Sequence, residues 1–161
     1  MEKVDIIVSE WMGYFLLYES MLDSVLWARD KYLNEGGKML PDRAQIYVAA
    51  IEDEQYKNSK IGFWKSVYGV DMSCLSGAAM KEPLIDCCDS SMIVSTYSLI
   101  LDLDLCHMKK EDVEFSSEYN LEMKRDDRVH ALIAWFDTRF SDLEYPITLS
   151  TSPYKKYTHW K

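Results

Sequence analysis

Two glutamates, Glu10 and Glu19, stand nine residues apart in a stretch that also holds Trp11, Tyr14, Phe15 and Tyr18. Nine residues is two and a half helical turns, and an odd spacing in a strand sends side chains to opposite faces, so neither regular structure lets the two carboxylates meet. They converge only if the chain between them doubles back. Gly13 supplies a backbone position where a sharp reversal costs little, and the aromatic residues can wall off the enclosed space. A guanidinium suits such a pair: it is planar, stays charged, and offers donors in a fork that carboxylates match bidentately. Clamped between Glu10 and Glu19, it would lose positive charge from one terminal nitrogen, leaving density there to attack an electrophilic methyl group. Two carboxylates with aromatic walls also suit a sugar, one acting as acid and one as nucleophile. A pair of solvated surface glutamates fits the same residues.

The elements around these residues say which loop this is. Val4-Asp5-Ile6-Ile7-Val8 is a short β-branched run of the kind found in a strand buried on both faces of a parallel sheet, and the glutamates follow its C-terminal end, where α/β sheets place their sites. A strand at the very start suggests that further sheet strands precede it in a longer chain. From Glu19 to about Asn34, Leu22, Val25, Leu26, Tyr32 and Leu33 recur at helical spacing, and Gly36-Gly37 reads as the stop. Beyond Pro41-Asp42 the chain turns strand-like. Ala44 to Ile51 and Val129 to Phe140 are the clearest strands, with weaker ones at Thr96 to Leu105, Val113 to Met123 and Ile147 to Ser150. Strands without long intervening helices imply an antiparallel sandwich or barrel. The interval from Glu54 to Met80 breaks that rhythm with Tyr56, Phe63, Trp64, Tyr68, Met72 and Met80, either as a projecting arm or as helices packed into the core.

Composition narrows the class. With 48% apolar residues in 161, the chain can fill a globular core. No apolar run approaches a membrane span and no leader is evident, so the chain reads as soluble and unsecreted. A net charge of -9 opposes direct binding of nucleic acid and favours cationic partners. Cys74, Cys87, Cys88 and Cys106 lack zinc-site spacing, and read as reduced thiols in cytosol or nucleus. No metal site is expected. His159, beside Trp160, is by itself an ordinary packed or capped histidine, and His107 and His130 read as structural.

The stretch SEWMGYFLLYESM, Ser9 to Met21, resembles the double-E loop of the protein arginine methyltransferases. Further similarity lies in LPDRA (40–44), IEDEQYK (51–57), VYGVDMSC (67–74), KEPLID (81–86) and the THW of residues 158–160, so the resemblance covers essentially the whole chain. It implies that Glu10 and Glu19 grip the substrate guanidinium, with Trp11, Met12, Tyr14, Tyr18 and Trp160 around it. His159 lies beside the pocket as a weak candidate base. Met12 and Met21 follow the type I pattern, which restricts products to monomethyl and asymmetric dimethyl arginine. Ser20 and Met21 fall where the family touches S-adenosylmethionine. The implied fold is α/β plus β: residues 1–40 as the C-terminal edge of a Rossmann-like methyltransferase domain, and 41–161 as a partial barrel-like antiparallel domain with a dimerisation arm at about 54–80. The implied partners are arginine-rich proteins such as histones and RNA-binding proteins, and a second copy of the chain through the arm.

Several features of that family are missing. No glycine-rich turn follows a first strand, and no acidic residue can be assigned to a ribose; the N-terminal helices that close over the donor and the final barrel strands are also lacking. Residues 1–161 alone are therefore expected to bind S-adenosylmethionine poorly and to methylate little. The alternative function is a truncated, non-catalytic relative serving as a dimerisation or interaction module.

Overall fold

The computed structural model describes residues 2–160. The first unit is β1 (Val4–Val8), α1 (Leu22–Tyr32) and β2 (Leu33–Leu40), with β2 parallel to β1. In α1, Leu22, Val25 and Leu26 are buried at i, i+3 and i+4, while Asp23 in the first turn and Arg29 and Lys31 in the last complement the helix dipole. Arg29 donates to the carbonyls of Leu105 (2.7 Å) and Met108 (2.9 Å), fixing the helix to a turn far along the chain.

Two expectations for this unit are corrected. The helix ends at Tyr32, and Gly36-Gly37 lie inside β2, where Gly36 takes φ 75° at an irregularity that sets Val4 opposite Leu33 but Ile6 opposite Lys38. The bulge consumes the left-handed residue that sequence alone assigns to a helix stop. Nor is β1 buried on both faces: Val4, Ile6 and Val8 are exposed, because β2 is its one partner among the described residues.

A short turn at Pro41-Asp42 leads into β3 (Arg43–Ile51), which pairs antiparallel with β4 (Ile93–Asp104) and β5 (Ala131–Phe140); β5 pairs with β6 (Ile147–Ser150). The order β4-β3-β5-β6 is an open four-stranded sheet, not a closed barrel. The expected strand at Val113 to Met123 is absent. That stretch stays largely exposed, Phe115, Tyr119 and Met123 included, with Val113 and Leu121 half-buried; it meets β4 through the Met123–Ser95 bridge and through Glu122, whose carbonyl accepts from the Thr96 amide (2.8 Å) and whose amide donates to the Thr96 hydroxyl (3.0 Å).

The main core joins the two units. Trp11, Met12, Leu16, Leu22, Val25, Leu26 and Met39 pack with Ala44, Ile46, Leu101, Leu103, Leu105, Met108, Phe136 and Trp160. On the opposite face of the sheet Ala49, Ile51, Ile93 and Trp135 form a smaller cluster, with Tyr47 stacked on Trp135 at 5.7 Å. Between β3 and β4 run α2 (Glu54–Lys60), α3 (Ser76–Ala79) and three short 3-10 turns; no residue from 52 to 91 is buried. The aromatic residues here are not core: Phe63 is exposed and Tyr68 fully so.

Candidate functional site

The segment from Ser9 to Met21 leaves β1 still attached to the sheet, since the Ser9 amide donates to the Leu40 carbonyl at 3.0 Å. Trp11 and Met12 then turn inward and are buried. The chain reverses at once. The Gly13 amide donates to the Leu16 carbonyl (2.9 Å), the two residues forming an isolated antiparallel bridge, and Tyr18 donates to the Tyr14 carbonyl (3.2 Å).

The reversal is made by residues other than the glycine. Phe15 and Leu16 have φ of 50° and 64°, and Ser20 has 58°, whereas Gly13 is not left-handed. A left-handed leucine costs roughly 1–2 kcal/mol, and full burial of its side chain contributes about 2–3 kcal/mol in return. Leu16 is completely buried, so burial outweighs the strain and plugs the loop into the core. Gly13 is needed for space instead. A side chain there would place its Cβ 2.8 Å from both the Cγ and the amide nitrogen of Glu19. Glu19 thus packs directly over Gly13, three residues along the chain from Glu10.

Glu10 and Glu19 are both exposed, and among the described residues neither carboxylate takes part in a hydrogen bond or an ion pair. The fold therefore supplies the reversal and leaves both carboxylates uncommitted; it joins them by no shared bond. Two surface recesses lie elsewhere, one lined by Glu52, Asp53, Glu54, Gln55, Asn58 and Met92, the other by Asp137, Thr148, Ser150, Lys155 and Lys156.

The remaining candidates divide by depth. Tyr18 is exposed and Tyr14 half-buried, while Ser20 and Met21 are exposed at the start of α1. Trp11, Met12 and Trp160 are buried in the core beneath the loop. The Trp11 indole nitrogen is buried without a hydrogen-bond partner. Trp160 is better satisfied, its Nε1–H donating to the Met12 carbonyl at 2.7 Å, and this contact brings the far end of the chain to the loop. His159 is exposed, with its ring 3.7 Å from that of Trp160. Sequence reasoning missed Leu16 and Phe136. Leu16 reads there as one apolar residue in a row of them, and Phe136, which meets Trp160 edge-on at 5.3 Å, as an ordinary strand residue.

Of the other histidines, His107 is exposed and 2.9 Å from Asp104. His130 is half-buried at the root of the 52–91 segment, where its Nδ1 accepts from the Asp53 amide (3.2 Å) beside Glu52. All four cysteines are unpaired.

Comparison with known proteins follows these features closely. Residues 42–161 match the family model described as the arginine methyltransferase oligomerization subdomain. The chain is 58% identical over 160 residues to protein arginine N-methyltransferase 1 of Schizosaccharomyces pombe, covering 99% of this chain and 47% of that protein. It is 52% identical to protein arginine N-methyltransferase 1 of Dictyostelium discoideum, with the same coverage. Among solved structures it is similar to a chain of the Trypanosoma brucei PRMT1 enzyme-prozyme heterotetrameric complex with AdoHcy, at TM-score 0.95 and 44% identity over 99% of this chain and 51% of that one. A further match is Arabidopsis thaliana protein arginine methyltransferase 10, at TM-score 0.80 and 29% identity, covering 99% and 54%. The chain spans about half the length of the relatives it matches.

Proposed function

This chain belongs to the protein arginine methyltransferase family, and from that premise we propose that it carries the arginine clamp of a type I enzyme that methylates protein arginine. Glu10 and Glu19 hold the guanidinium by charge-assisted hydrogen bonds and polarise it, so that one terminal nitrogen becomes the nucleophile. The observation that carries this reading is the reversal that packs Glu19 over Gly13 while both carboxylates stay unengaged. Tyr18 and Tyr14 flank the acceptor, and Trp11 and Met12 support it from below. His159 is positioned to take the proton that the methylated guanidinium sheds.

S-adenosylmethionine, when bound, supplies the electrophilic methyl group. The residues here that fit part of it are Ser20 and Met21, which are exposed at the start of α1, where Met21 makes no side-chain capping bond. Met21, exposed, and Met12, buried below, bound the transfer space and favour monomethyl and asymmetric dimethyl products.

In this reading residues 1–40 close a Rossmann-like methyltransferase domain, supported by the parallel β1-α1-β2 arrangement, and 41–161 are part of a barrel-like domain, supported by the antiparallel sheet. Residues 54–80 form the arm of a homodimer, supported by the lack of any buried residue there and by exposed Phe63, Tyr68, Val70 and Met80. Substrates are arginine-rich proteins such as histones and RNA-binding proteins, to which a net charge of -9 is complementary, and the protein works in cytoplasm and nucleus.

The test is transfer of labelled methyl from S-adenosylmethionine to an arginine-rich peptide by the full-length protein containing these residues. Glu19→Gln is expected to lower the rate at least a hundredfold, since the clamp loses a charge made for the transition state. Near-parental rates would reject the mechanism.

A further inference from the structure

We propose that Trp160 is a positioning residue for this clamp, acting through the backbone of Met12 instead of touching the substrate. The inference rests on the reading that Glu10 and Glu19 grip the guanidinium. Trp160 is buried, and its Nε1–H lies 2.7 Å from the Met12 carbonyl, a contact across 148 residues of sequence. Its ring meets Phe136 of β5 edge-on, and Phe136 is held in turn by Thr151, whose hydroxyl accepts from the Phe136 amide (3.0 Å) and whose amide donates to the Phe136 carbonyl (3.0 Å). The indole is therefore fixed to the four-stranded sheet.

What it holds is the peptide plane between Met12 and Gly13. That plane sets the entry to the Gly13–Leu16 bridge, and Glu19 packs on Gly13. A tilt at Met12 is thereby passed to Glu19, and Glu10 lies two residues upstream on the same run of backbone. A buried phenyl ring would keep an aromatic contact with Phe136 but leave part of the indole's space empty and the Met12 carbonyl without its donor, so the test needs a core-trimming control to separate the lost packing from the lost bond. The exposed His159 ring lies tilted against the same indole at 3.7 Å, so the anchor also bears on where that imidazole is presented.

The test compares Trp160→Phe, Leu103→Val and Glu19→Gln in the full-length protein. Trp160→Phe keeps an aromatic ring and removes the donor; Leu103→Val trims the same core cluster on β4. Measured are kcat, the KM values for an arginine-rich peptide and for S-adenosylmethionine, the melting temperature, and hydrogen exchange at the Gly13 amide. Trp160→Phe is expected to lose about 10- to 100-fold in kcat, because small misplacement of reacting groups carries that penalty. Its KM for S-adenosylmethionine should hold, and the Gly13 amide should exchange at least about tenfold faster as its bond to Leu16 loosens. Leu103→Val should melt lower, with kcat and Gly13 exchange unchanged well below its transition. Parental kcat and Gly13 exchange in Trp160→Phe would overturn the proposal, as would equal losses in Trp160→Phe and Leu103→Val. A fully active Glu19→Gln protein would instead overturn the clamp reading itself.

Discussion

Gly13→Ala is the most direct probe of how the loop is shaped. The added Cβ would lie 2.8 Å from the Glu19 amide nitrogen, 2.8 Å from its Cγ and 3.1 Å from its Cβ. Ordinary contact begins near 3.4 Å, so the overlap is 3.4 − 2.8, about 0.6 Å. One of the atoms met is backbone, so no rotamer of Glu19 relieves the clash and the Glu19 segment itself must shift. Overpacking of this kind costs about 1–3 kcal/mol of stability. The functional cost is larger in proportion: displacing a clamp carboxylate by a good fraction of an ångström is worth on the order of a hundredfold in kcat. Methyl transfer by the full-length protein, followed alongside thermal melting, reads both. Gly36→Ala is the control, because a side chain there meets nothing within 4 Å and suffers only from φ 75°, a strain of about 1 kcal/mol. Gly13→Ala with a parental kcat, or Gly36→Ala with the same kcat loss, would refute the argument that Glu19 rests on the bare backbone of Gly13.

Other outcomes follow from the sheet and the arm. Arg43 grips Asp102 through two bonds of 2.6 Å, with Gln45 adding a third at 2.9 Å, and these hold the Asp102 carboxyl below its ordinary range against the opposing effect of burial. A depressed folded pKa contributes stability in full above the unfolded value of about 3.9 and loses it as pH falls through the lower folded value. Asp102→Asn should therefore cost about 1 kcal/mol at neutral pH, the pair being partly exposed, and flatten the loss of stability below about pH 4. Acid melting curves that superimpose for parent and variant would contradict this. For the arm, Phe63→Asp together with Tyr68→Asp should halve the mass of the full-length protein by sedimentation at micromolar concentration while leaving each subunit folded, since neither side chain is buried in this chain. An unchanged sedimenting mass would remove the arm from the interface.

Much of the architecture could be read from local pattern. Strands β3 and β5 alternate or run apolar over nine and ten residues and lie within two residues of the bounds the sequence predicts at each end, because their own side chains determine burial. Gly36-Gly37 misled because a left-handed glycine serves a helix stop and a strand bulge equally well, and the choice belongs to β1, which is distant in sequence. In the loop, residue types announced the glutamates but not the means of reversal. Left-handed Phe15 and Leu16 run against local preference and are held by tertiary burial of Leu16, which no window of sequence contains. Only the family resemblance of residues 158–160 puts Trp160 near a site. Its depth, and its bond to Met12, are facts of the fold.

Similarity to the oligomerization subdomain begins at residue 42, yet packing does not respect that line. Met39, Leu26 and Leu16 from before it share one interior with Ile46, Leu103 and Phe136 from after it. A polypeptide cut at the junction would have to present that oily underside to water, and the indole at its far end would lose the acceptor it was built around. The unit that evolution recognises and the unit that can be taken away intact are, in this molecule, different lengths of chain.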